Sequence, residues 1–168
     1  MGIVMSQSML ALALDSWERN QTILVNLLHN VPREALGLRP LDDSPSVGEL
    51  FAHMAATRIH FVQRNAPEVA CPMPDFDHVD MRDREELLAL LEASSAAVLA
   101  ALQSRMAAER PMEMDYDDPM LLVQHLIWHE GYHHGVIKFL LKFTGRPLKD
   151  EQFGPLSWDL WLEKKSAG

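Results

Sequence analysis

Residues 119–147 read PMLLVQHLIWHEGYHHGVIKFLLKFTGRP, and the periodicity of this stretch decides the fold. Leu122, Leu126, Val136, Ile137, Leu140 and Leu141 recur at three- and four-residue intervals. That spacing gives one apolar side to a helix running from near Pro119 to near Thr144. Gly145 and Pro147 supply its stop. His129 and His133 lie in the same run, four residues apart and so on one face. Their leucine neighbours turn that face toward the interior in this reading, and imidazoles buried there need partners. A divalent metal is a partner that two such nitrogens share.

Three more periodic segments precede this one, and strand-type alternation is scarce. The first, from about Ser6 to Asn30, carries Leu10, Leu14, Trp17, Leu24 and Leu28 on one stripe. Pro32, Gly37, Pro40 and Pro45 mark a connection. Ser46 with Glu49 three residues on is a capping box, starting a second helix that runs through roughly Asn65. A proline-rich stretch from Ala66 to Arg82 reads as a long crossing loop. The third helix spans about Asp83 to Glu109, with Leu87, Leu91, Val98, Leu102 and Met106 inward. After the fourth helix, Phe153, Leu156, Trp158, Trp161 and Leu162 indicate a short extra helix packed on the body. The expected architecture is all-α, a four-helix bundle with a short C-terminal helix, in a single domain over residues 1–168.

The chain of 168 residues has only 23% charged residues and nearly half hydrophobic ones, enough for one sizeable core. Its net charge of −9 and lack of a basic run argue against a nucleic-acid partner and an anionic membrane surface. No signal-peptide pattern is present, and no apolar stretch reads as bilayer-spanning. The single cysteine, Cys71, fits a reducing compartment, so a cytoplasmic location is expected. With no basic neighbour to lower its pKa, Cys71 reads as an ordinary thiol.

A catalytic metal needs about three protein ligands and an open fourth position. His129 and His133 supply two, and His53 on the second helix, between Leu50 and Met54, is the best third. An inward histidine taken singly is more often a hydrogen-bonded core residue than a ligand. An i, i+4 pair plus a third from a facing helix is hard to explain as independent packing choices. His125 and His60 extend the row and, with Tyr132, are candidates for moving protons. His29, His78 and His134 are expected at loop or outer positions without a role. His129-Glu130-x-x-His133 also matches the zinc-protease motif, in which the glutamate is the general base. The longer form of that motif needs Gly and His where this chain has Val136 and Phe139, and no strand is evident to align a peptide. Glu130, about 100° around the helix from His129, is expected to point away from the inner site.

The pattern of Ser46 to His53, then His125-x-x-x-His129-x-x-x-His133-x-Gly135 and the exit Gly145-Arg146-Pro147, resembles the DinB-like superfamily over essentially the whole chain. The resemblance implies an up-down-down-up bundle, often dimeric, with His53, His129 and His133 holding a divalent metal, commonly zinc or nickel. After the last ligand the family frequently has Arg-Gly-Gln; here His134, Gly135 and Val136 stand instead. It further implies a transferase that joins a low-molecular-weight thiol, such as bacillithiol or mycothiol, to a small electrophile, or a thiol-dependent isomerase. A hydrolase using a metal-bound water and a non-catalytic metal-binding module are the alternatives. Surplus apolar residues on the first and fourth helices, with Trp158 and Trp161, point to a homodimer.

Overall fold

The computed structural model describes residues 2–163, with side chains from Met9 onward. Four long helices form the body: α1 (Gly2–Asn30), α2 (Val47–Asn65), α3 (Arg84–Ala107) and α4 (Pro119–Phe143). Two short ones follow, α5 (Asp150–Phe153) and α6 (Trp158–Leu162), so the expected single tail helix is a broken pair. Among the described residues there is no strand.

Local chemistry sets the ends. At α2 the Ser46 hydroxyl accepts from the Glu49 amide while the Glu49 carboxylate accepts from the Ser46 amide, completing the capping box. At α3 and α4 the caps are one-way: the Asp83 carboxylate accepts from the Glu85 and Glu86 amides and the Asp118 carboxylate from the Met120 amide. α4 stops where Gly145 takes a φ of 78°. There the Arg146 amide reaches the Leu141 carbonyl and the Gly145 amide that of Lys142. This is the left-handed turn that glycine adopts without penalty.

Long-range contacts give the helix directions. Trp17 donates to Ser95, and Arg84 donates to the Val31 carbonyl, so α1 and α3 are antiparallel. Gly48 meets the backbone beside Met81, while Asn65 receives the Met114 and Asp115 amides, so α2 and α3 run the same way. The 66–83 connection must therefore travel the length of the bundle. His53, Arg58 and Phe61 face His133, Glu130 and His125, so α4 is antiparallel to α2. The order is up-down-down-up.

Two apolar clusters fill the core, one around Leu28, Phe51, Leu87 and Leu141 and one around Trp17, Val62, Val98 and Leu126. By length and composition α3 is apolar enough to cross a membrane, which departs from the sequence reading. More than half of its apolar window is buried in the bundle, with Leu87, Leu91, Val98 and Leu102 in the core.

Between the two clusters lies a charged layer that residue type alone argued against. Arg58 and Glu130 are both fully buried. Arg58 Nε and Nη2 donate to the two Glu130 oxygens at 2.6 and 2.9 Å. Its Nη1 donates to Gln21, the Leu91 carbonyl and Ser94, and its guanidinium lies 4.7 Å from the Trp17 ring centroid. Asn20 donates to the second Glu130 oxygen at 2.5 Å. One residue thus joins all four long helices, and a bidentate pair saturated in this way is the form in which buried charge is tolerated.

Candidate metal centre

α2 and α4 carry three imidazoles to one point. His53 Nε2 lies 3.2 Å from His129 Nε2, which lies 3.1 Å from His133 Nε2. One ligating nitrogen from each falls within 4.8 Å of the others, and among the described residues this is the group of His, Cys, Asp or Glu that converges so. Nitrogens held about 2.0–2.1 Å from a tetrahedral centre stand about 3.3 Å apart along each edge. The spacing found here matches that edge, so the three residues fit a divalent metal with a further position for another donor.

At His129 and His133 the electrostatics favour the neutral, ligating form. Burial, with the neighbouring His129 and His53 adding to it, pushes His133 down to about 4. Burial also lowers His129, helped by His53 and His125 and opposed by Glu130. On both residues Nδ1 is buried without a hydrogen-bond partner, leaving Nε2 as the nitrogen that finds company.

The cluster lies elsewhere around α4 than the sequence reading placed it. His53 is exposed rather than inward, and His129 and His133 are half-buried. The core side of α4 is Leu122, Leu126, Glu130, Ile137 and Leu141 instead. Glu130 therefore does point away from the histidines, but into the centre of the protein and not outward. Its oxygens are taken by Arg58 and Asn20. The apolar residues of α4 extend nearly round the helix, which is why periodicity misassigned its inward direction.

The other histidines divide clearly. His125 joins the row, with its ring centroid 6.5 Å from that of His129 and its Nδ1 2.6 Å from the Tyr116 hydroxyl. Burial, with Asp115 nearby, holds the Tyr116 phenol at about 12, so it stays protonated. Phe61 packs against both rings. Tyr116 was missed because it stands in the 108–118 connection, outside every periodic segment. Tyr132 is exposed, its ring centroid 5.0 Å from that of His133 in an edge-to-face arrangement. His60 is exposed against Phe61 and outside the convergent group. His134, expected outside, is half-buried against Phe153, and burial then Lys138 push it down to about 4. His29 and His78 are exposed. Burial raises the Cys71 thiol, which agrees with an ordinary cysteine.

Beside His53 a shallow groove of about 200 Å³ opens, lined by Glu49, Ala52, Ala56, Phe76 and Met81. It is mostly apolar and reaches the exposed side of the cluster. A family model described as the DinB superfamily matches residues 16–137, which run from the middle of α1 through most of α4 and include all three convergent histidines. No curated protein and no solved structure matches the chain.

Proposed function

We propose, for a chain that belongs to the DinB superfamily, that His53, His129 and His133 hold one divalent metal, zinc or nickel. We take it to be an enzyme that transfers a low-molecular-weight thiol to a small electrophile in a reducing, cytoplasmic setting. The observation that carries this reading is the donor set: three imidazoles from two helices and, among the described residues, no fourth His, Cys, Asp or Glu in the converging group. Structural zinc sites are closed by four protein ligands, usually with cysteine, whereas catalytic ones keep a position open. When bound there, a divalent metal favours the thiolate over the thiol and so supplies a nucleophile at neutral pH.

The chain's own residues provide the rest. The exposure of His53 leaves the cluster accessible, and the groove lined by Ala56, Phe76 and Met81 offers an apolar seat for the electrophile. The Tyr116–His125 hydrogen bond holds a proton one helical turn along from His129, where a leaving group could receive it. Tyr132 covers one edge of His133.

The test is thiol transfer by metal-loaded protein from bacillithiol, mycothiol or cysteine to chlorodinitrobenzene. We expect one equivalent of metal and turnover, with both lost in His133→Ala and the metal retained in His134→Ala. Full metal content in His133→Ala would refute the ligand set. Metal-dependent ester hydrolysis without thiol transfer would replace the transferase by a hydrolase. Bound metal with neither activity would leave a metal-binding module.

The reading also includes a homodimer. Leu121, Trp128, Tyr132, Phe139 and Phe143 are all exposed at alternating seven- and four-residue intervals. At about 100° per residue they share one stripe of α4. An apolar row of that length is self-complementary across a two-fold axis.

A further inference from the structure

The opposite flank of α4 carries a second cleft. Gly131 and Gly135 each follow a cluster histidine by two residues, a turn of about 200°, which sets them on the far side of the helix. The cleft encloses about 330 Å³ between α4, α1 and α6, and Trp158, Trp161, His134 and Lys138 line it with the two glycines.

Two observations bear on what it could hold. The chain's own packing does not require the glycines: a Cβ added at either would meet nothing within 4 Å, and neither has a positive φ. Glycine inside a helix is destabilising relative to alanine, so a bare backbone at two successive turns needs another reason. Gly135 stands seven residues after Trp128 and four before Phe139, so a subunit contact is one such reason. Close approach of a flat group to the helix is the other, and the charge of the cleft points to this second reason.

The second observation is charge. The chain is strongly acidic, yet all five of its lysines lie from Lys138 onward, and the cleft lining contains Lys138 and no carboxylate. The Lys138 ammonium is held over the rings of Phe153 and Trp158, at 5.4 and 5.7 Å from their centroids. It bonds the exposed Asp150 at 3.2 Å, a contact that another carboxylate can replace.

We propose that this cleft binds a small planar aromatic carboxylate, its ring lying between the glycine backbone and the Trp158 and Trp161 rings and its carboxylate on Lys138. The histidine cluster takes no part, so the site stands whether or not the metal reading does.

The experiment is titration of 1-naphthoate and of neutral 1-naphthylmethanol into the full chain, read by tryptophan quenching and by calorimetry. Saturable 1:1 binding of naphthoate is expected, weakened about tenfold in Lys138→Met, as for a charge-assisted hydrogen bond near the surface. Naphthylmethanol binding should be unaffected by that change. Gly135→Leu fills open space and should abolish binding of both compounds while the helical circular dichroism stays intact. Trp158→Ala, at an exposed position, should give the same loss. Failure to saturate at millimolar ligand, or equal binding by Gly135→Leu, would overturn the proposal. So would a loss in Gly135→Leu accompanied by a halved mass in light scattering, which would assign the glycines to a subunit contact instead.

Discussion

Replacing Glu130 with leucine should be among the most damaging single changes available in this protein. The side chain is fully buried, so its removal strands Arg58 Nε and Nη2 and the Asn20 amide without acceptors. Arg58 retains Gln21, the Leu91 carbonyl and Ser94, but no counter-charge. Breaking a buried ion pair from one side costs about 3–5 kcal/mol. In a domain of this size each kcal/mol moves the thermal midpoint by about 2–4 °C, so a drop of about 6–20 °C is expected. Removing both charges together, as Arg58→Met with Glu130→Leu, should recover much of that loss, because neither charge is then left alone. Urea denaturation of the two single variants and the double variant, with the slope checked for constancy, measures the coupling. A cost below about 1 kcal/mol for Glu130→Leu, or a double variant as unstable as the two singles summed, would refute the argument that the pair is held as a unit.

Three further outcomes follow from the same contacts. Gly48→Ala should destabilise by about 1–3 kcal/mol in thermal or urea unfolding, because its Cβ would stand 1.8 Å from the Met81 carbonyl oxygen, a backbone atom with little room to move. Acid should weaken the 108–118 connection. The Arg64 guanidinium, with Asn65, holds the Asp115 carboxyl at about 2, against about 3.9 when unfolded. The unfolded chain then takes up the proton first, so this stabilisation is complete above pH about 4 and is lost as pH falls toward 2. Asp115→Asn should therefore lose less stability than the parent between pH 5 and 3, as read by urea midpoints. Light scattering at micromolar concentration should give twice the chain mass, falling to one chain in Trp128→Glu with Phe139→Glu; a monomeric parent would count against the α4 interface.

What could be read from sequence was whatever a few adjacent residues settle among themselves. The capping box at Ser46 and Glu49 and the glycine stop at Gly145 involve neighbours within one turn, and both formed where expected. The four-residue spacing of His129 and His133 guaranteed a shared face, and it did not depend on which way that face looked. Direction required a contrast between apolar and polar sides, and α4 offers little, since Trp128, Tyr132, Phe139 and Phe143 are outside while Glu130 is inside. A glutamate in the core runs against residue preference and becomes tolerable only once Arg58, fixed by the register of a different helix, is placed opposite. Tyr116 gave no signal because its role depends on a loop folding back onto His125.

The buried pair and the histidine cluster are linked by that same register. On α2, Arg58 follows His53 by five residues, and on α4, Glu130 follows His129 by one. A slip of one turn between the two helices is about 5.4 Å. It would carry His53 out of a group whose nitrogens now lie within 4.8 Å of each other. The same slip would take the Arg58 guanidinium off a carboxylate that it meets at 2.6 and 2.9 Å. Arrangements that lose the metal geometry by sliding α2 against α4 therefore also strand a buried charge, at a cost of several kcal/mol. Exposed His53 needs no packing of its own to stay with His129 and His133, because the penalty that holds the register sits in the core, one residue from His129.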